Sequence, residues 1–455
     1  MLLDLSAGGT SASAKQISTA SLGDHSYIVV VNDEAVAIDI QRDLDRFEDT
    51  LSGIEAKLVA VFETHIHNDY VSGGKRLADA HGAQYILPAN TGAPFRHTPL
   101  SDGDTIPVGG WAMRAMHTPG HTHNHMSYVL ESPEGAAAIF SGGSMLVGGV
   151  GRSDLLGPDH TRTLLEGQYN SMLRIADELP DPSVVAPTHG SGSFCSASEV
   201  SDSTSTVGAE KRQNPALVAP SLEAFSASQV LGYKQFPRYY RHMAPANLEP
   251  KGAPSEGPLT VIASSEEIKG MPIVDVRPFP EFAEGHIPGS LSFEMSNDDA
   301  VYMGWTMHWS SPIVLVGSAG DAEEVRLHLL RIGWDDIVGR IDPAELIEFA
   351  RDGVLSTTEF VTFADLGDAA SGPFLDVRDP VEQLDGVIPG ADLAHLAEVA
   401  SDPEKYACTD DLVIYCAGGY RSGVAASFIE AAGGTTLVVR DDLKNYRGPL
   451  VAPVK

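Results

Sequence analysis

Two histidines separated by one residue, His65 and His67, follow an apolar and β-branched run at residues 58–62. Such a run is typical of a buried strand, so the histidines are expected on the loop that leaves it. In extended backbone, residues i and i+2 project to the same side, and the two imidazoles can therefore converge on one point. Because imidazole is a common ligand of zinc and iron, this spacing predicts a metal site.

Two further histidines follow apolar, strand-like runs later in the chain. His121 stands in a T-P-G-H-T segment, and His189 stands in a P-T-H-G segment. Together with the T-H-x-H-x-D stretch, these segments resemble the motifs of the metallo-β-lactamase fold superfamily in order and spacing. The resemblance covers residues 1–243 and implies an αββα sandwich with a metal pocket. Two predicted strands within residues 25–40, joined by a turn, agree with that fold.

The sequence departs from the motifs of that superfamily at two positions. Tyr70 stands where the family has a histidine after the motif aspartate, and Gly143 stands where the family has the aspartate of a G-D pair. In dinuclear hydrolases of the family, those two groups hold the second metal. Their replacement predicts a site for one metal, with His65, His67 and His121 as its ligands.

Neighbouring groups are predicted to support this site. Asp69 is expected to orient a histidine, and Tyr70 is placed in the same supporting group. His189 is expected either to complete the metal shell or to hydrogen-bond water or substrate. Since the sequence shows no steric need for a glycine at position 143, Gly143→Asp is expected to restore the carboxylate and strengthen metal binding.

The second half of the chain contains an internal repeat. The motif D-V-R at residues 275–277 recurs at residues 376–378, and G-x-I-P-G recurs at the same offset of 101 residues. Short β-rich runs alternate with helical runs in each unit, which predicts a parallel sheet with helices on both faces. The two units, 259–355 and 356–455, resemble rhodanese domains. A proline-rich linker is predicted at residues 244–258.

A cysteine in the last unit has the surroundings of a reactive thiol. Cys416 follows the predicted strand 412–415 and begins the loop C-A-G-G-Y-R-S, which a helical run follows. Backbone N–H groups at a helix N-terminus and the charge of Arg421 favour a thiolate there. The loop resembles the active loop of rhodanese domains. In the middle unit, Gly317 and Ala322 replace the cysteine and the arginine, so this unit is predicted to be non-catalytic.

The composition of the chain restricts which partners it is expected to bind and in which compartment it is expected. The formal net charge is −32, which argues against nucleic acid or an anionic membrane as a partner, because the acidic protein and the phosphate groups of such a partner would repel each other. Three cysteines form no disulfide framework and fit a reducing cytoplasm. We see no signal peptide and no apolar run long enough for a membrane span. We expect a cytoplasmic homo-oligomer that acts on small molecules.

Several segments resemble one branch of the superfamily, the persulfide dioxygenases fused to rhodanese domains. These are the helical stretches 205–217 and 236–243 and the G-R-x-D stretch 151–154, in which Arg152 is either a substrate clamp or part of a structural ion pair. The resemblance implies Fe(II), O₂ and a low-molecular-weight persulfide such as glutathione persulfide. It also implies sulfite as a product and thiosulfate as the rhodanese substrate or product.

Two other functions remain open. One is a mononuclear hydrolase of thioesters, similar to glyoxalase II, in which Zn(II) would replace the favoured Fe(II). The other is a sulfurtransferase whose N-terminal domain only binds a thiol or a partner. Metal identity and O₂ dependence distinguish these functions from the dioxygenase.

Overall fold

A computed structural model describes residues 1–6, 9–196, 203–249, 252–254, 257–350, 353–367 and 372–453. The chain forms two compact units. The first consists of Met1–Tyr233, Tyr239–Gly252 and Arg331–Gly333, and the second contains the remaining residues. Residues 197–202 and parts of the predicted linker lie outside the described residues.

The first unit contains a seven-stranded sheet whose strands follow chain order. The first four strands pair antiparallel, and the fourth to seventh pair parallel. The strands are β1 (Leu2–Asp4), β2 (Ala12–Thr19), β3 (Asp24–Val31), β4 (Glu34–Ile38), β5 (Lys57–Phe62), β6 (Gln84–Pro88) and β7 (Thr98–Leu100).

A second sheet has six strands in the order β15-β14-β11-β10-β9-β8. Only β11 and β14 pair in parallel, and β12 and β13 form a separate two-stranded ribbon. The strands are β8 (Thr105–Val108), β9 (Trp111–His117), β10 (Met126–Ser132), β11 (Gly135–Gly142), β12 (Met145–Leu146), β13 (Gly149–Val150), β14 (Val184–Pro187) and β15 (Ser205–Thr206).

Helices cover the outer faces of both sheets. The inner faces form one apolar core that includes Tyr27 and Phe62 from the first sheet and Tyr128 and Phe140 from the second. Because helices pack on both outer faces, the predicted αββα sandwich is confirmed. The helices are α1 (Asp45–Ser52), α2 (Gly74–His81), α3 (Pro158–Glu178), α4 (Val207–Gln213), α5 (Pro215–Val218), α6 (Leu222–Gly232) and α7 (Tyr240–Leu248).

The strand directions bring the histidine-bearing loops together. In the second sheet, β9 and β11 both pair antiparallel with β10, and β14 pairs parallel with β11. The carboxyl ends of β9, β11 and β14 therefore lie at one edge of the sheet. His121 follows β9, Gly143 follows β11 and His189 follows β14, so this edge gathers three of the motif segments.

The second unit contains two parallel sheets. Their strand orders are β17-β16-β18-β19 and β20-β24-β23-β21-β22. The strands are β16 (Ile273–Asp275), β17 (Leu291–Ser292), β18 (Ile313–Val316), β19 (Ile337–Ile341), β20 (Glu359–Val361), β21 (Phe374–Asp376), β22 (Asp392–Leu393), β23 (Leu412–Tyr415) and β24 (Thr436–Val439). The helices are α8 (Phe279–Glu284), α9 (Asp299–Thr306), α10 (Ala319–Arg331), α11 (Leu346–Phe349), α12 (Pro380–Gln383), α13 (Leu396–Ser401), α14 (Glu404–Ala407) and α15 (Tyr420–Ala431).

The beginning of the predicted linker differs from the structure. Residues 244–248 belong to helix α7 although Pro245 lies inside it. Proline removes one backbone donor, but the helix is short and Pro245 sits near its last turn, where that loss is tolerated. Its side chains also bind the first unit, as Asn247 shows below, so this segment is not a spacer.

The D-V-R motif forms a buried ion pair in each repeat. In the last repeat, Nε of Arg378 lies 3.0 Å from Oδ1 of Asp376, and Nη2 of Arg378 lies 2.7 Å from Oδ2. Nη2 also donates to the carbonyl of Gly386 at 2.7 Å, in the second repeated motif. Asp275 and Arg277 make the same pair in the middle repeat. The motif therefore links β16 in the middle repeat and β21 in the last repeat to the following G-x-I-P-G turn.

We predict that Asp376→Asn destabilises the last repeat by about 3 kcal/mol or more, because it leaves a buried guanidinium without its counter-charge. The matched control is Asp79→Asn, which breaks the exposed Lys75–Asp79 pair. This control should cost less than about 0.5 kcal/mol. Hydrogen exchange followed by mass spectrometry measures the opening free energy of peptides from each region. Equal protection of β21 and β23 in Asp376→Asn and in the wild type would contradict the prediction.

Candidate metal centre and sulfur-transfer loop

Four imidazole nitrogens in the first unit are buried and lack a hydrogen-bond partner among the described residues. They are Nε2 of His65, His121 and His189, and Nδ1 of His67. His65, His121 and His189 can each offer a nitrogen within 4.8 Å of the other two. The ring of His67 lies 4.1 Å from that of His65, centroid to centroid. A buried lone pair without a partner is costly unless a proton or a metal satisfies it.

The other nitrogen of each ring is held by a fixed partner. Nδ1 of His65 lies 2.9 Å from Oγ1 of Thr64, and Nδ1 of His189 lies 2.9 Å from Oδ1 of Asp24. Nδ1 of His121 donates to the main-chain carbonyl of Arg152 at 2.9 Å. These contacts fix ring orientation in the way that outer-shell partners fix metal ligands. Burial, followed by the neighbouring imidazoles, lowers the pKa of His65 and His121, so both rings are neutral donors.

His67 is held differently from the other three histidines. Its Nε2 lies 3.2 Å from Oδ1 of Asp39 and 3.3 Å from Oε2 of Glu63. Burial alone would lower the pKa of His67, but these two carboxylates raise it well above its usual value. With Nε2 bound to carboxylates, Nδ1 is the nitrogen that can face a metal. A proton competes for this basic nitrogen, so metal binding through His67 is expected to depend on pH.

Tyr70 and Asp69 act on these histidines. The Tyr70 hydroxyl lies 2.9 Å from Nε2 of His67, and the two rings stack with centroids 4.2 Å apart. Asp69 places Oδ2 at 3.4 Å from Nδ1 of His189 and Oδ1 at 3.9 Å from Nδ1 of His67. Burial, together with the nearby Asp24 carboxyl, raises the pKa of Asp69 to about 7. Asp69 thus lies where it can orient His67 and His189 or join them in holding a metal.

Sequence reasoning missed Asp39, which organises the centre. Its carboxylate accepts the backbone N–H and the hydroxyl of Thr64 at 2.7 and 2.8 Å, and it also accepts the hydroxyl of Thr188. Burial raises the pKa of Asp39, but His67 and these donors outweigh burial and hold it below its usual range. The available signal was an acidic residue directly after the apolar strand β4, where a buried carboxylate needs partners.

Gly143 is required by close packing, which corrects the expectation from the sequence. A Cβ atom at this position would lie 2.5 Å from Cδ2 of His121 and 2.7 Å from its Cγ. The backbone N–H of Gly143 also donates to Nε2 of His125 at 2.9 Å. The imidazole of His121 therefore occupies the space that an aspartate side chain would need. Gly143→Asp should displace this ring and weaken the site, not strengthen it.

The neighbouring His125 and the predicted site residue Arg152 have structural contacts. His125 uses both ring nitrogens, one on Gly143 and one at 2.9 Å from Oγ1 of Thr118. The Arg152 guanidinium makes two contacts of 2.7 Å with the carboxylate of Asp154. Arg152 is 2% exposed and also supplies the carbonyl that holds His121. This geometry favours the structural ion pair over the substrate clamp for Arg152.

Helix α7 supports the loop that carries His65 and His67. The side chain of Asn247 donates to the carbonyl of His67 at 3.0 Å and to that of Tyr70 at 2.9 Å, and its Oδ1 accepts the N–H of Ser72. Tyr239 donates its hydroxyl to the carbonyl of Asp69 at 2.9 Å. These contacts satisfy the polar backbone of a buried loop, which has no strand partner of its own.

The donor set fits one divalent metal. His65, His121 and His189 would hold it, whereas His67 groups with Asp69 and His189, or with Asp39 and Glu63. Neutral imidazoles suit iron and zinc. The positions of Gly143 and Tyr70 provide neither the carboxylate nor the imidazole that a second metal of the family needs. When bound, such a metal would supply Lewis acidity or redox chemistry to a ligand in this pocket.

The sulfur-transfer loop lies in the last repeat, between β23 and α15. Sγ of Cys416 accepts the backbone N–H of Gly419 at 3.0 Å and lies 3.7 Å from Oγ of Ser422. Gly419 has φ of 94°, a left-handed conformation that favours glycine. The thiol is buried, with Cys416 2% exposed. An N–H directed at sulfur stabilises the thiolate over the thiol.

Arg421 is paired with an acidic residue beside this loop. Its Nη2 lies 2.7 Å from Oε1 of Glu382, four residues after Arg378 of the D-V-R motif. Burial would lower the pKa of Arg421, but Glu382, Tyr302 and Cys416 raise it above its usual value. The guanidinium thus contributes positive charge near the thiol while its orientation is fixed by Glu382.

Comparison with known proteins agrees with this description. A family model described as Metallo-beta-lactamase superfamily matches residues 26–189, and one described as Rhodanese-like domain matches residues 261–342 and 360–448. A hydroxyacylglutathione hydrolase of Gloeobacter violaceus is 30% identical over 213 residues, which are 42% of this chain and 83% of that protein. The chain belongs to the metallo-beta-lactamase superfamily, and two rhodanese-like domains follow its N-terminal domain.

Other similar proteins cover different shares of the chain. A hydroxyacylglutathione hydrolase of Pseudomonas putida KT2440 is 37% identical over 92 residues, which are 20% of this chain and 35% of that protein. A crystal structure of a metallo-beta-lactamase from Staphylococcus aureus subsp. aureus COL has a TM-score of 0.67 and 27% identity. The match covers 73% of this chain and 99% of that one, so it extends beyond the N-terminal domain.

None of the helices in the described ranges combines the length and the apolar character needed to span a bilayer.

We predict about one divalent metal per chain after anaerobic reconstitution, because the three groups of possible ligands among the described residues share members and one of them, His65, His121 and His189, consists of imidazoles alone. His121→Ala and His189→Ala should each remove most of the metal, because each leaves only two of the three imidazoles that converge within 4.8 Å of one another. Gly143→Ala should also reduce metal content because its Cβ meets the ring of His121. Elemental analysis of the purified variants measures these effects.

The matched control is His81→Ala, which removes a partly exposed histidine bound to Glu48. Its metal content should equal that of the wild type. Two metals per wild-type chain, or full metal content in both His121→Ala and His189→Ala, would contradict a site for one metal at these residues.

Proposed function

We propose that this chain is a sulfur-metabolising enzyme that combines oxidation of a low-molecular-weight persulfide with rhodanese sulfur transfer. The observation that carries the proposal is the Gly419 N–H directed at Sγ of Cys416 at 3.0 Å, in a chain whose first unit brings three buried imidazoles together. A loop that stabilises a thiolate suits the transfer of sulfane sulfur, and a cluster of imidazoles suits a redox metal.

Sulfur transfer at Cys416 needs no group beyond the loop and its substrates. The Cys416 thiolate attacks the outer sulfur of thiosulfate, the sulfur–sulfur bond breaks, and sulfite leaves with the bonding electron pair. An acceptor thiolate then attacks the outer sulfur of the Cys416 persulfide and regenerates the Cys416 thiolate. The Gly419 N–H and the Arg421 charge stabilise the anionic sulfur in both steps. The reverse sequence converts sulfite and a persulfide into thiosulfate.

The first unit would oxidise the persulfide. In the overall reaction, one persulfide, one O₂ and one water give one thiol and one sulfite, which becomes available to the sulfur-transfer loop. Fe(II) is the favoured metal because the reaction consumes O₂. The residues of the chain supply the metal-binding imidazoles, and the Asp39 network and α7 hold their loops in place.

The three free cysteines fit the reducing cytoplasm that we propose as the compartment.

A second candidate is supported by the relatives. The Gloeobacter violaceus protein is named a hydroxyacylglutathione hydrolase, and the match spans 83% of its length. Its name points to a glutathione thioester as substrate, which shares the glutathione portion with the persulfide proposed here. A Zn(II) centre that cleaves a thioester without O₂ would agree with this alternative.

We predict that anaerobically purified protein loaded with Fe(II) consumes O₂ when glutathione persulfide is added, in a ratio of one O₂ to one sulfite. Oxygen-electrode and sulfite assays measure this ratio. S-lactoylglutathione should give no release of thiol above that of His121→Ala. Thioester cleavage without O₂ uptake would replace the dioxygenase by the hydrolase, and a protein that retains no metal would leave only the sulfurtransferase.

We predict that Cys416→Ala abolishes sulfur transfer from thiosulfate to an acceptor thiol and leaves O₂ uptake with preformed persulfide largely intact. Cys416 is the cysteine whose sulfur accepts a backbone N–H from its own loop. The matched control is Cys408→Ser, which changes an exposed cysteine and should retain both activities. Wild-type sulfur transfer by Cys416→Ala would place the nucleophile elsewhere.

A further inference from the structure

The middle repeat has no thiol in the loop that corresponds to the Cys416 loop, yet it contacts that loop directly. Both repeats belong to the same compact unit. The contacts come from Glu294, after β17, and Phe279, at the beginning of α8. Both residues lie in the middle repeat, and neither belongs to the machinery described above.

Arg440 receives three contacts at the end of β24. Its Nη2 lies 2.6 Å from Oε2 of Glu294, and its guanidinium carbon lies 4.7 Å above the ring of Phe279. Its Nη1 donates to the carbonyl of Gly419 at 2.9 Å. The first two contacts come from the middle repeat and the third from the sulfur-transfer loop. Arg440 therefore connects the middle repeat to the peptide unit next to the thiol.

The far end of this connection is the sulfur of Cys416. Gly419 accepts Arg440 through its carbonyl and donates its N–H to Sγ of Cys416 at 3.0 Å. A carbonyl and an N–H of one residue flank the same Cα, so fixing the carbonyl restricts how the N–H is aimed. Gly419 has a left-handed backbone, and its carbonyl also accepts the hydroxyl of Ser422 at 2.9 Å and the N–H of Gly423 at 3.3 Å, so Arg440 is the donor that reaches it from outside the loop and α15.

Glu294 makes a second contact with the loop through its backbone. Its carbonyl accepts the hydroxyl of Tyr420 at 3.1 Å. Tyr420 is the first residue of α15 and lies between Gly419 and Arg421. Glu294 thus reaches the loop twice, through Arg440 at the carbonyl of Gly419 and directly at the side chain of Tyr420.

The equivalent arginine of the middle repeat, Arg340, pairs within its own repeat, unlike Arg440. At the equivalent place, Arg340 donates to the carbonyl of Gly317 at 3.3 Å, and its carboxylate partner is Asp342, two residues later. In the last repeat, Asp442 occupies the position of Asp342, and both side chains accept the N–H of the residue two positions later. Arg440 pairs with Glu294 of the other repeat instead.

We propose that the middle repeat is a positioning element of the Cys416 site, and that Glu294 acts through Arg440 to hold the Gly419 N–H on the sulfur. This inference rests on the proposed function of Cys416 as the sulfur carrier. It assigns a role to a repeat that lacks its own nucleophile. Glu294 and Arg440 are positioning residues, since they act on the thiol through Gly419.

The test is the pKa of the Cys416 thiol, because two physical effects predict opposite signs for it. Glu294→Gln removes a negative charge near the thiolate, and this effect alone would lower the thiol pKa. Loosening the Gly419 N–H removes stabilisation of the thiolate, and this effect raises the thiol pKa. We expect an increase of about 0.5–1 unit in Glu294→Gln, as for partial loss of a hydrogen bond to a charged group.

The pKa is measured from the pH dependence of iodoacetamide alkylation, followed by mass spectrometry of the peptide that contains Cys416. The full-length chain carries Cys408→Ser to remove the exposed thiol. Arg440→Lys keeps the charge but loses the planar fork that reaches Glu294 and Gly419 together, so it should raise the thiol pKa as well. Alkylation near neutral pH should slow by about three- to tenfold in both variants.

The control is Asp342→Asn, which removes the partner of the equivalent arginine in the middle repeat and should leave the thiol pKa unchanged. A raised pKa in both test variants, with the control unchanged, supports the proposal. An unchanged or lowered pKa in Glu294→Gln overturns it, whether or not thermal unfolding is affected. Failure of the proposed function is distinguishable, since the wild type would then transfer no sulfur from thiosulfate whatever the alkylation profile.

Discussion

The candidate metal centre depends on one buried carboxylate. Asp39 is fully buried and accepts hydrogen bonds from Thr64 on one loop and Thr188 on another, while His67 lies against the same group. Thr64 in turn fixes His65, and Thr188 directly precedes His189. A carboxylate removed from water is stable only when donors surround it, so these loops must approach each other for Asp39 to be buried at all.

The strands, the repeats and the reactive loop could be predicted from sequence because their signals are local. The apolar run before His65 is β5, and the predicted strand before Cys416 is β23 with the same bounds. The repeated D-V-R motif marked two units, each of which was predicted to contain a parallel sheet and does. Alternation of apolar residues and spacing of glycines are properties of a few neighbouring residues, so a single sequence is sufficient to recognise them.

The partners of the site residues could not be predicted in the same way. Asp24 lies 165 residues before His189, which it orients, and Asn247 lies 180 residues after His67. No short pattern connects such residues. The steric role of Gly143 was also hidden, because the contact is with a ring that only the folded chain brings there. A sequence does not show whether a glycine is required by its backbone conformation or by close packing with other residues.

Main-chain anchoring of His121 has a consequence for how this centre can change over evolutionary time. The carbonyl that orients the ring belongs to residue 152, but every amino acid carries such a carbonyl. Substitution of the side chain at position 152 would leave the His121 ring in place as long as the backbone conformation is retained. The anchors of His65 and His189 are side chains and have no such freedom. Related chains should therefore preserve Thr64 and Asp24 more strictly than their distance from any reacting atom would suggest.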